Sequence, residues 1–166
     1  MKTFAIAAAL STALLTSSAM AAGDLEQWGT GGGWDIMVDT TIGDGCFIQA
    51  EFEDGSLVRI GLDPDEEMGF VSAFNDAWGD IEDGAYYDIE FDLDGERYVG
   101  EAKGLWLGDL PGADILFDNL DFFLSIAEKN VMTLYNTSGE VMAISLAGTQ
   151  SGLEGVLECQ ADVDGG

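Results

Sequence analysis

The chain contains no histidine. This removes the side chain most often used as a general base and as a metal ligand. It excludes Ser–His–Asp and Cys–His catalysis and zinc held by imidazole. Cysteine is scarce too: Cys46 and Cys159 are the only two, and two thiols alone do not make a thiolate metal site. Neither a Gly-x-Ser-x-Gly nucleophile elbow nor a Gly-rich phosphate loop occurs. Positive charge is nearly missing, with five Lys and Arg against 32 Asp and Glu. Nucleic acid is thereby excluded as a partner, because phosphate binding needs clustered cations. Anionic lipid is disfavoured for the same reason. No cofactor is implied.

Long hydrophobic runs are absent after the first 21 residues. Within them, Lys2 supplies a basic start, Phe4 to Leu15 a short apolar stretch, and Ala19-Met20-Ala21 a small-residue cleavage site. That is the pattern of an export signal, too short and Ala-rich for a membrane span of about 20 apolar residues. The expected product is a bacterial periplasmic or secreted protein. Losing Lys2 leaves four cations against the 32 acids, a charge of −28. Such a charge favours cationic partners or metal ions, or serves as a solubility surface. In an oxidising compartment, two cysteines with no other thiol predict one disulfide, Cys46–Cys159, the alternative being two free buried thiols.

The remaining chain has the length of one domain. Residues 22–33 are Gly-rich and read as a flexible lead-in, 34–160 as a single β-rich domain, and 161–166 as a polar tail. Alternation marks strands at Trp34–Asp39, Cys46–Glu53, Leu57–Leu62 and, most cleanly, Tyr86–Leu93. A three-residue loop, Asp54 to Ser56, is expected between the second and third. Phe70–Phe74 reads as a short strand followed by a turn at Asn75–Trp78. Asp94-Gly95 predicts a two-residue turn that sets Phe91 opposite Tyr98. Gly104 to Pro111 reads as a loop and Asp114–Phe117 as a short strand. Leu120–Lys129 reads as a helix capped by Asp118 or Asn119, and Val131–Tyr135 with Glu140–Leu146 as a hairpin. Thr149–Cys159 reads as a final helix, with Ser151 and Glu154 as a capping box and Gly152 and Gly155 weakening it. The expected fold class is α+β: mainly an antiparallel β-sheet or sandwich, with one or two short helices in the C-terminal half.

Glu90-x-Asp92-x-Asp94-Gly95-x5-Glu101 has the ligand spacing of a helix–loop–helix calcium loop. Its flanks alternate as strands, and an acidic hairpin explains the spacing, so these four are weak calcium candidates. Asn136-Thr137-Ser138 is a glycosylation sequon that reads as turn chemistry. Trp34 and Trp78 are expected in the core, while Trp106, between Leu105 and Leu107, is the candidate for an exposed contact residue. Paired carboxylates keep a glycosidase-like hydrolase as an alternative, but among 32 acids such a pair carries no specificity.

Several short motifs occur in order: Trp34, Cys46, Asn75-x-x-Trp78, Phe91-Asp92-x-Asp94-Gly95, and Ile144-Ser145-Leu146-Ala147-Gly148-Thr149 leading to Cys159. In these the chain resembles uncharacterised exported proteins of alphaproteobacteria and, more loosely, the invasion-associated locus B family of periplasmic β-rich proteins. It departs at Val38, where that resemblance would place a cysteine. The resemblance implies an exported non-enzymatic domain with no catalytic residues to carry over. The sequence thus predicts a non-catalytic, disulfide-closed acidic domain that binds a partner in the periplasm or outside the cell. A cationic protein, for example a basic enzyme such as lysozyme, fits the charge, and a plain solubility surface explains it as well. The alternatives are a carboxylate-based hydrolase and a calcium-stabilised acidic envelope protein.

Overall fold

The structure is a computed structural model and describes residues 24–166. The export signal lies outside the described residues. Ten strands form one antiparallel sheet: β1 (Leu25–Gly31), β2 (Trp34–Asp39), β3 (Gly45–Glu51), β4 (Leu57–Asp63), β5 (Met68–Phe74), β6 (Tyr86–Leu93), β7 (Glu96–Leu107), β8 (Leu110–Phe117), β9 (Val131–Asn136) and β10 (Gly139–Ser145). Helices α1 (Leu120–Ala127) and α2 (Thr149–Asp164) follow β8 and β10. The strand order is β1-β2-β3-β4-β5-β8-β7-β6-β9-β10. The α+β expectation holds.

Within the stretch read as a flexible lead-in, Leu25–Gly31 forms a strand. β1 pairs along β2, with Gly31 opposite Trp34. Gly32 and Gly33 make the turn at φ +62° and +92°, a conformation that fits a tight hairpin and suits glycine. Its side chains are mostly exposed, so no burial period marks it. The β3–β4 loop has three residues as expected but closes one residue earlier. Phe52 N–H donates to Ser56 O at 2.8 Å, and Ala50 lies opposite Val58. The register moves by two residues, so each side chain keeps its predicted face. Phe91 lies opposite Tyr98, as expected. The predicted 104–111 loop is instead two strand ends paired to Leu107 opposite Leu110.

The sheet curls over its own core. Ala73 of β5 and Val141 of β10 line one cavity, although four strands separate them in the sheet. One apolar cluster joins Ile36, Ile48, Ile60 and Val71 to Phe91, Leu134 and Ile144. α2 packs on β1 to β4, and α1 on β5 and β8. Trp34 bridges toward the other end of the sheet, donating its indole N–H to Ala147 O at 3.1 Å.

Two glycines explain how closely α2 seats. A Cβ at Gly155 would come 2.3 Å from Ile36 Cδ1, and one at Gly152 would come 2.9 Å from Ile48 Cγ2. These residues seat the helix on the sheet, and it runs through 161–164, part of the predicted polar tail. The capping box does not form. The N-cap is Gly148, without a side-chain hydrogen bond, and a Cβ there would meet Gly32 O at 1.9 Å. The Cys46–Cys159 disulfide, with a Cα–Cα distance of 6.1 Å, ties α2 to β3.

A smaller apolar cluster sits on the outer face. Phe47 and Phe74 are buried there, with the Arg59 guanidinium 5.0 and 5.8 Å from their ring centres. Arg59 Nε donates to Gln49 Oε1 at 2.8 Å.

Candidate functional site

The curled sheet leaves one internal space unfilled, and the strand register explains why. Ala73 pairs with Ala113, Ala113 with Gly104, and Tyr87 with Ala102. Ala73, Ala113 and Gly104 therefore set small residues side by side across β5, β8 and β7 on the inner face, while Ala102 lies opposite Tyr87. At the other end of these strands, Phe117 and Phe122 fill the space beneath α1, together with the stacked Phe91 and Tyr98. The result is a half-enclosed apolar cavity of about 300 Å³. Val71, Ile89, Ile115, Leu134 and Val141 supply its aliphatic wall. Trp78 and Tyr87 bring aromatic side chains to it, while the Tyr135 ring lies on the outer face beneath Arg97, and Asp80 is the one charged lining residue.

The rim is fixed by hydrogen bonds. Asn75 caps a short 3-10 turn, Asp76–Trp78, by accepting from Ala77 N at 2.8 Å. Tyr87 Oη accepts from Glu82 N at 2.8 Å. Trp106 Nε1 donates to Ile81 O at 3.3 Å. Gly104 N donates to Ala85 O, and Gly104 O accepts from Gly84 N, both at 2.8 Å. A Cβ at Gly104 would come 2.3 Å from Glu82 O, so only glycine lets the loop lie this close. Trp106 is 41% exposed, and its indole pins the loop that borders the cavity. Trp34 is buried in the core, and Trp78 packs half-buried against it.

A second concavity of about 360 Å³ lies among the β4–β5 turn, the start of α1 and the end of α2. Leu62, Met68, Phe117 and Leu157 form its apolar surface, while Asp63, Glu67, Asp118 and Asp164 edge it. No lysine or arginine lines it. Leu120, also lining it, is 55% exposed and Leu157 is 38% exposed.

The four calcium candidates sit on the β6–β7 hairpin but are already engaged or apart. Arg97 pairs with Glu90 and approaches Asp92 at 3.8 Å. Asp94 accepts from Asn130 N at 2.9 Å and Val131 N at 3.1 Å, and these bonds hold its carboxyl below the usual range. Glu101 faces Asp88 across the ladder. Among the described residues, no three acidic or thiol side chains come together to hold a metal.

Register also assembles a polar row that the sequence reading missed. Gln49, Arg59, Ser72, Asp114 and Lys103 are consecutive cross-strand partners on the outer face. Ser72 Oγ donates to Asp114 Oδ1 at 2.8 Å. Desolvation beside the aromatic cluster pushes the Asp114 carboxyl up to about 6, against the Ser72 hydrogen bond that lowers it. No sequence motif marks this row, since its members lie on five strands.

The fold and its cavities define a disulfide-closed, curled antiparallel sheet with two covering helices. Invasion-associated protein B from Bartonella henselae has a similar structure, with a TM-score of 0.54 and 17% identity over 79% of this chain and 96% of that one. The likeness is one of fold. No protein-family model matches the sequence, and no curated protein does.

Proposed function

We propose that the protein is an exported, non-catalytic, disulfide-closed domain that captures a cationic protein at the acidic-edged groove beside α1 and α2. The observation that carries this reading is the groove itself. Exposed leucines offer apolar anchorage, four carboxylates surround them, and no cation neutralises them. Elsewhere, Arg97 and Lys129 each face a carboxylate partner, and Arg59 is held over the outer aromatic cluster, so the overall charge of −27 stays available to a partner. Long-range attraction raises the encounter rate, and apolar contact supplies the residence time. The Cys46–Cys159 bond supports an oxidising compartment, and the fold shared with an invasion-associated protein supports a non-enzymatic role.

A pull-down with lysozyme as the cationic probe tests the reading. Retention at low salt and release at about 0.5 M, where charges are screened within several ångströms, is the expected result. No retention at low salt, or retention indifferent to salt, counts against it.

A further inference from the structure

We infer that the cavity inside the curled sheet is a binding site for a small cationic amphiphile, whose apolar body fills the cavity while its ammonium group rests at Asp80. Four features support this, independent of the groove. At about 300 Å³, the cavity lies at the lower end of the range for small-molecule sites, which are concave, mostly apolar and furnished with few polar groups. The space is built in: Ala73, Ala102 and Ala113 project from paired strands where larger residues would have closed the core. Its mouth is also fixed in place, because Tyr87, Trp106 and Gly104 hold residues 81–85 over β7. A preformed rim lowers the ordering cost of binding.

Charge selects the ligand. Asp80 is exposed, and no lysine or arginine lines the cavity. Trp78 and Tyr87 bring aromatic side chains to the same space, and aromatic faces attract cations. The overall charge of −27 disfavours an anionic head group and concentrates cations. A fatty acid carboxylate is therefore the wrong chemistry, and an alkyl- or arylammonium ion is the right one.

Three probes of equal chain length separate the terms: octyltrimethylammonium, octanol and octanoate. Titration of the purified protein, followed by the methyl NMR signals of Ala102 and Ala113, should give the tightest binding for octyltrimethylammonium and the weakest for octanoate. Asp80→Asn should weaken the cation by about two- to fivefold, as expected for an exposed ion pair, and leave octanol unchanged. Ala113→Leu should abolish binding of both by filling the space. Because that variant alters a packed position, Ala77→Trp, on the exposed 3-10 turn at the mouth, provides a second block that leaves the sheet intact. Failure of octyltrimethylammonium to shift either methyl at millimolar concentration would overturn the inference. So would octanoate or octanol binding as tightly as the cation, or undiminished binding to folded Ala77→Trp.

Discussion

Asp114 links burial to pH. Its carboxyl is raised to about 6 in the folded protein, first by desolvation. A raised acid holds its proton more tightly when folded, so the native state binds more protons between about pH 4 and 6. Stability from this group is full below about pH 4 and lost as pH rises through 6. Asp114→Asn keeps an acceptor for Ser72 and removes the charge. It should therefore leave stability near pH 4 unchanged and raise it by roughly 1–3 kcal/mol at pH 7, as read from urea unfolding at both pH values. Gly155 is the second residue with a sharp consequence. Ala is the better helix former by up to about 1 kcal/mol, yet its methyl would strike Ile36 at 2.3 Å. Overpacking should win, and Gly155→Ala should lower stability by about 1–2 kcal/mol in the same assay.

At the scale of elements, the β6–β7 hairpin carries calcium-loop spacing without calcium-loop geometry. Strands point Glu90 and Asp92 at Arg97, and the turn spends Asp94 on the backbone of Asn130 and Val131. Millimolar calcium should therefore leave the melting temperature unchanged, as followed by scanning calorimetry. This hairpin was also the most legible element in the sequence, because alternation and Asp-Gly fix both its face and its register. The β3–β4 loop length was legible for the same reason, although its closing residue was not. β1 was illegible because an edge strand with few buried side chains has no period, and its backbone pairing to β2 leaves no mark in composition. The final helix looked weak because Gly152 and Gly155 lower helix propensity. Their purpose is tertiary, to let α2 approach Ile36 and Ile48, and no local reading of the chain reaches that. The cavity was hidden similarly. Ala73, Ala113 and Gly104 are ordinary strand residues until pairing sets them side by side.

The whole molecule is a single curled sheet held shut at several points. The disulfide closes a span of 113 positions, for which chain entropy gives roughly 4–5 kcal/mol. The Cys46→Ala/Cys159→Ala double variant should lose most of that in urea unfolding and keep the strand signature in circular dichroism at low temperature. Among the described residues no helix is long and apolar enough to cross a membrane. The charge belongs to this scale too, because it acts through the summed field rather than through any one pair. In the proposed reading, the groove supplies the local apolar contact that a field alone cannot. Acidity therefore has two separable effects in this reading, general attraction and docking at one place. Lysozyme affinity measured by calorimetry at low salt distinguishes them when two charge reversals are compared. Glu67→Lys/Asp118→Lys alters the groove, and Asp88→Lys/Glu101→Lys makes the same charge change on the β6–β7 hairpin. The account predicts that the groove pair weakens binding by about tenfold or more and the hairpin pair by less than about threefold. Equal losses from the two pairs, or no measurable binding by the unaltered protein, would contradict it.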